Sequence, residues 1–207
     1  MRHNQGVEAA VLEKVPAPGR PPATSHAAIE QVAFRLFAAQ GFIETTTDQI
    51  AAGAGIGRRT LFRYFASKND IPWGRFDESL GAFRAHLASM PGDLPLADAI
   101  VRAVVAFNTF PDAALAQHRI RMGLILNTPD LQAHATLKHA QWRSAVADFV
   151  AQRTGEPTTG LGPVSAGHAA LGIAITAYET WLREPSRSLP RLMRESGEHF
   201  RRIWSPE

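Results

Sequence analysis

TTTDQIAAGAGIGRRTLFRYF, residues 45–65, is the stretch that decides the fold of this 207-residue chain. Thr46 followed three residues later by Gln49 is a capping-box pattern, in which the threonine oxygen takes an orphan amide of the first helical turn and the glutamine reaches back to the threonine amide. The helix so started runs through Ala54. Gly55 follows where the chain needs the left-handed conformation that a Cβ disfavours, and Gly57 stands where a second helix is capped. In that second helix Leu61, Phe62 and Phe65 recur at spacings of three and four and read as one apolar stripe, which leaves Arg58, Arg59 and Arg63 to point elsewhere. No acidic residue lies between Asp48 and Asp70. Two short helices joined by a tight turn, the second cationic at its start, suit the major groove of DNA.

Outward from this motif the helical pattern continues in both directions. Upstream, Ile29, Val32, Ala33, Leu36 and Phe37 predict a helix over 24–40, ended by Gly41. Downstream, Ser67 and Asp70 repeat the capping spacing and predict a connecting helix over 68–88, with Pro72 in its first turns where a missing amide is tolerated. Met90-Pro91-Gly92-Asp93 breaks the chain and divides a DNA-binding domain, 24–90, from a second domain, 91–207.

Five more helices are predicted there. Residues 95–110 carry Ile100, Val104 and Phe107, and 113–127 carry Leu115, Ile120, Leu124 and Ile125. Residues 131–154 carry Leu137, Trp142, Val146, Phe149 and Val150; 163–183 end in Tyr178, Trp181 and Leu182; 189–203 carry Leu192, Met193, Phe200 and Ile203. No alternating strand pattern with hairpin signals occurs, so the fold class is all-α, about nine helices. Residues 1–23, rich in proline, read as a disordered tail, although Arg2, Lys14 and Arg20 leave room for a phosphate or minor-groove contact.

Composition narrows the function by exclusion. With 45% hydrophobic and 20% charged residues and a net charge of +3 the chain is ordinary, and it is the local arginine cluster rather than the global balance that points to nucleic acid. The absence of cysteine excludes disulfides, thiolate zinc sites and cysteine nucleophiles. No signal-peptide pattern occurs, and the longest apolar run, 164–177, falls short of the ~20 residues that span a bilayer. The expectation is a soluble cytoplasmic protein with no membrane partner. Gly53, Gly55 and Gly57 lack the G-x-G-x-x-G spacing, His134 and His139 are one residue too far apart to share a helix face as metal ligands, and no serine-nucleophile motif occurs. An enzyme, a metal site and a cofactor are therefore not expected. A helical scaffold or adaptor whose motif only packs stays open as the alternative.

Leu36-Phe37, Gly41-Phe42, residues 45–48, Ile50-Ala51-Ala52, Ala54-Gly55-Ile56, Thr60-Leu61-Phe62, Tyr64-Phe65 and Ser67-Lys68 together resemble the DNA-binding half of TetR-type repressors. GRRTLFRYFASKNDIPWG (57–74), VVAFN (104–108) and RMGLILNTPDLQAHATLKHAQW (121–142) are similar to the TetR-type regulators of the mycofactocin system. The resemblance implies a homodimer paired through its last two helices, a palindromic double-stranded DNA operator and a ligand cavity in the C-terminal bundle. Two positions depart from the pattern: Phe62 replaces a tyrosine that many members set against phosphate, and Gly57 replaces a serine or threonine cap.

On this frame the residues receive roles. Arg58 and Arg59 read bases, Thr60 meets a thymine methyl or a phosphate, Thr47, Arg63, Tyr64 and Lys68 contact backbone, and Thr46, the cap, also belongs to the DNA-binding set. Phe107, His118, Met122, Ile125, Leu126, Trp142, Phe149 and Tyr178 line the cavity, with Arg119 or Arg121 at its mouth to meet the carboxylate or phosphate of a fatty-acyl or acyl-CoA effector. Gly167, Ala170, Leu171, Ala174 and Ile175, completed by Leu192, Phe200 and Ile203, form a dimer seam; burial of the same face within one chain is the alternative.

Overall fold

The structure, a computed structural model, describes residues 25–204. Among them are nine α-helices, one 3-10 segment and no strand: α1 His26–Gln40, α2 Thr47–Gly53, α3 Arg58–Tyr64, the 3-10 segment Lys68–Trp73, α4 Phe76–Ala88, α5 Leu96–Phe107, α6 Asp112–Asn127, α7 Pro129–Thr154, α8 Leu161–Arg183 and α9 Leu189–Trp204. The expected tail, 1–23, lies outside the described residues.

The motif forms from its own local chemistry. Thr46 Oγ1 accepts the Gln49 amide at 3.2 Å while Gln49 Oε1 accepts the Thr46 amide at 2.8 Å, the reciprocal cap. Gly55 takes φ +65° at the turn. α2 lies close on α1: a Cβ at Gly53 would come within 2.8 Å of Val32 Cγ1.

Two apolar cores result. Ile29, Ala33, Phe34, Phe37, Ile50, Leu61, Phe65 and Ile71 pack the first, joined by Leu131 of α7. Leu80, Phe83 and Leu87 of α4 belong to the second, with Val104, Trp142, Val146, Trp181 and Met193. The cores therefore part between Ile71 and Leu80, ahead of the break at 90–93. That break is instead strapped to α7 by Arg153, which donates to the carbonyls of Pro91, Gly92 and Leu94 at 3.0, 2.6 and 2.8 Å.

Three expectations are corrected. The continuous helix over 68–88 is absent: Lys68–Trp73 winds as 3-10, and Gly74 at φ +54° breaks the chain before α4. Ser67 caps nothing, because its hydroxyl donates to Asp70 Oδ2 at 2.7 Å; the other Asp70 oxygen meets His134 Nε2 at 3.0 Å. Leu137 and Ile120, placed on apolar faces by spacing, are exposed.

The expected dimer seam lies mostly inside the subunit. Ala170, Ala174 and Leu192 are core residues, and Leu171 and Ile175 wall a cavity that opens to the surface. Gly167 is buried against α7, where a Cβ would fall 2.7 Å from the Arg143 carbonyl oxygen. Small side chains here bring α8 onto α7 of its own chain. Phe200 and Ile203 alone of the expected seam are exposed, as are His168, Gly172 and Thr176, which recur every four residues along α8.

Candidate DNA-binding face and internal cavity

With Leu61 and Phe65 buried in the first core, α3 turns Arg58, Arg59, Phe62 and Arg63 outward. Arg58 Nη1 meets Asp48 Oδ2 at 3.3 Å, but both side chains are more than 60% exposed, so water screens the pair and it holds the arginine only weakly. Arg59 and Arg63 make no ion pair or hydrogen bond among the described residues. Phe62 does not join the buried stripe with Leu61 and Phe65; it is 40% exposed, with the Arg58 guanidinium 5.6 Å from its ring centre. A helix this short buries only one side, and Phe62 falls on the other. Thr47 and Thr60 are half-buried on the same unit.

Two of the expected DNA-binding residues, Lys68 and Thr46, are occupied internally. Lys68 Nζ donates to the carbonyls of Phe42, Ile43 and Thr45 at 2.8, 3.2 and 2.9 Å and lies 4.4 Å over the Phe42 ring. All three ammonium protons serve the loop between α1 and α2, which corrects the placement of Lys68 at a phosphate. Burial lowers its pKa, against the opposing pull of Asp130 and Glu44. The Thr46 hydroxyl is the α2 cap. Tyr64 stacks edge-on against His26 of α1, centroids 4.9 Å apart, and its carbonyl pairs with the His26 ring.

Behind this unit lies a cavity of about 720 Å³. Phe107, His118, Arg121, Met122, Ile125, Leu126, Trp142 and Tyr178 line it, as expected. Phe149 does not; it is buried in the second core. Arg119 does not either. It stacks on Trp181, its Cζ 3.7 Å from the ring centre, and donates to the carbonyls of Trp181 and Pro185, closing the C-terminal end of α8. Arg119 and Arg121 sit two positions apart on α6, so they project from roughly opposite sides. Sequence reading missed the walls given by α1, the 3-10 segment with Gly74 that connects the two halves (the connector) and α4: Glu30, Gln31, Pro72, Trp73, Phe76 and Phe83.

Most of the wall is aromatic or aliphatic; two hydrogen-bonded sets of polar groups belong to it, besides Gln31, Ser79, His86, Gln117 and His139. Tyr178 donates its hydroxyl proton to Asn108 Oδ1 at 2.6 Å, and Asn108 Nδ2 donates to the Val104 carbonyl at 2.7 Å. With its proton so committed, the Tyr178 oxygen accepts from His118 Nε2 at 2.8 Å, which makes His118 the Nε2-protonated tautomer and leaves Nδ1 an acceptor. Burial, reinforced by the charge of Arg121, lowers the His118 pKa to about 4, so the ring is neutral at pH 7. Burial likewise lowers His139 and raises Tyr178. The second set is Arg121, which donates Nη2 to Glu30 Oε2 and Nη1 to the Pro72 carbonyl at 3.0 Å.

The sequence has known relatives. The profile for bacterial regulatory proteins of the tetR family matches residues 29–71, and that for the MftR C-terminal domain matches residues 94–203. A Mycobacterium tuberculosis protein described as a mycofactocin biosynthesis transcriptional regulator, MftR, is 47% identical over 171 residues, 83% of this chain and 86% of its own length. The chain belongs to the TetR family. It is a transcriptional regulator built on a DNA-binding helix-turn-helix and is homologous to the mycofactocin-system regulator. Two solved TetR-fold structures share its architecture. NalD, the secondary repressor of the MexAB-OprM efflux pump in Pseudomonas aeruginosa, is 19% identical at a TM-score of 0.57, covering 86% of this chain and 93% of its own. FadR of Bacillus subtilis, solved with stearoyl-CoA, is 17% identical at 0.56, covering 84% and 96%. No single helix among the described residues is long and apolar enough to cross a membrane.

Proposed function

We propose that this TetR-family regulator is a homodimeric repressor of mycofactocin-associated genes, released from a palindromic operator when an acyl ligand enters the cavity. Two copies of the α2–turn–α3 unit occupy successive major grooves, ~34–36 Å apart. Arg58 and Arg59 pair with guanine O6 and N7, at about 1–3 kcal/mol of discrimination each. Thr60 and Phe62 supply apolar contact to thymine, and Thr47, Arg63 and Tyr64 contact the backbone. The subunits pair through the exposed stripe of α8, Phe200 and Ile203. Such a protein works where the chromosome is, in the cytoplasm.

The observation that carries the ligand half is the cavity itself, within the ~300–1,000 Å³ range of small-molecule sites. Its walls are mostly apolar, and Arg121 is the single guanidinium among them, the group that would meet the anionic end of an acyl ligand. The stearoyl-CoA held by FadR on the same fold supports this ligand class. Two measurements test the reading. Titration calorimetry with lauroyl-CoA gives saturable binding, and a gel shift on DNA upstream of the protein's own gene gives a retarded band that the ligand removes. No retardation of any DNA at low salt would leave the helical adaptor as the better account.

A further inference from the structure

We infer that Glu30 is a built-in surrogate for the ligand's anionic group: it holds Arg121 until a carboxylate or phosphate takes its place, and its release loosens α1 and with it the DNA-binding unit. The inference rests on the acyl-ligand reading and adds how occupancy reaches the DNA.

The residues converge from three elements. Glu30 lies on α1, only 7% exposed, between Ile29 and Ala33 in the core that also holds Ile50 of α2 and Leu61 of α3. Arg121 comes from α6. One of its nitrogens takes the Glu30 carboxylate, another the carbonyl of Pro72 in the connector at 3.0 Å, and its Cζ lies 5.2 Å from the centre of the Phe34 ring. One guanidinium thus fastens α1, the connector and α6 together. The connector leaves room for it at Gly74, where a Cβ would come within 2.8 Å of Arg121 Nη1 and 2.9 Å of Glu30 Oε1.

Both partners belong to the cavity wall, and charge decides what happens there. Glu30 is the one carboxylate and Arg121 the one guanidinium or ammonium among the wall residues; the other titratable groups are His86, His118, His139 and Tyr178, of which His118 is neutral. An entering anion has one permanent cation to meet, and that cation is already engaged. If the ligand takes Arg121, Glu30 remains buried without its counter-charge, a situation far costlier than losing a surface pair. The carboxylate then moves toward water, and because it is anchored on α1, the recognition unit moves with it. A neutral ligand of the same shape fills the cavity without this consequence.

The experiment uses three probes with one C12 chain: laurate, lauroyl-CoA and uncharged lauroyl-pantetheine. Each is titrated into the full-length protein by calorimetry, and DNA affinity is read by anisotropy on a duplex the protein itself selects from a random pool. All three are expected to bind, laurate, lauroyl-CoA or both to weaken DNA binding by 5- to 150-fold, and the pantetheine ester to leave it unchanged. Release by laurate assigns a carboxylate to Arg121; release by lauroyl-CoA alone assigns a phosphate. Glu30→Gln binds the anionic probes more tightly than the parent, and its DNA affinity no longer responds to them. The double variant Glu30→Met/Arg121→Met, in which an apolar pair replaces a buried ionic one and folding is expected to survive, binds the pantetheine ester and ignores all three probes at the DNA. Equal DNA release by the neutral and charged probes, or ligand-dependent release in the double variant, overturns the inference and leaves the acyl reading intact. Failure of every probe to bind the parent removes the acyl reading and the inference with it.

Discussion

His118 Nε2 stands 2.8 Å from the Tyr178 hydroxyl, and that hydroxyl has already given its proton to Asn108. The imidazole is therefore held in one tautomer by a partner that can only accept from it, within a wall that disfavours its charge. Folding lowers its pKa from the usual 6.5 to about 4. Below pH 6.5 the unfolded chain takes up a proton at this position that the folded chain refuses until about pH 4, so this contribution is complete above 6.5 and lost as the pH falls through that window. The loss amounts to roughly 3 kcal/mol at the acid end. Thermal melts of the parent and His118→Phe at pH 7.5 and 4.5 check it: the variant shows a smaller acid-induced drop in Tm. Parallel pH profiles would remove His118 as the cause.

Lys68 is expected to matter for stability and not for the DNA backbone. Its three protons are spent on the carbonyls of Phe42, Ile43 and Thr45. Lys68→Met leaves these carbonyls without their charged donor and costs about 1.5–3 kcal/mol in denaturant unfolding. The salt dependence of DNA binding by the folded variant stays that of the parent. Arg63→Ala, by contrast, leaves the melting temperature near its parent value and lowers the slope of log K against log salt by about one.

How much of this was legible in the sequence follows from the range of the interactions involved. Thr46, Gln49, Gly55 and Gly57 act within a few residues of one another, so the helix-turn-helix reads directly from its letters. The cavity residues on α6, such as His118 and Met122, follow from helical spacing, but spacing alone does not tell Arg119 from Arg121. That choice depends on which side of α6 meets Trp181 and which meets Glu30. Ser67 and Asp70 match a capping box, yet the serine proton goes to the aspartate itself, while Gly74 supplies the break. Glu30 gives no signal because its partner is 91 residues away. The small residues of α8 read the same whether the helix they admit belongs to a partner or to the same chain.

That last ambiguity yields a paired test. A methyl at Gly167 would strike the Arg143 carbonyl, whereas a Cβ at Gly172 meets nothing within 4 Å and projects from the exposed stripe. Gly167→Ala is expected to destabilise the subunit by about 1–3 kcal/mol through overpacking. Gly172→Arg is expected to leave the fold intact and shift the mass seen by sedimentation toward the monomer. A Gly172→Arg protein that sediments as the parent does would move the dimer contact away from this stripe.

Phe62 gives the last prediction. An aromatic ring 40% exposed on a cationic helix, with Arg58 against it, gains nothing from the subunit's own core. In the major groove, thymine is the base that offers an apolar group, its C5 methyl. Phe62→Ala should therefore lose preference for thymine at one position in each half-site while keeping the arginine-dependent guanines. The check replaces thymine by deoxyuridine along the selected duplex, one position at a time. For the parent, one replacement per half-site costs about 0.8 kcal/mol, the worth of a buried methylene-sized group. For Phe62→Ala the same replacement costs nothing. If the parent tolerates deoxyuridine everywhere, while Phe62→Ala weakens binding to all duplexes alike, the ring packs on the sugar-phosphate backbone and reads no base.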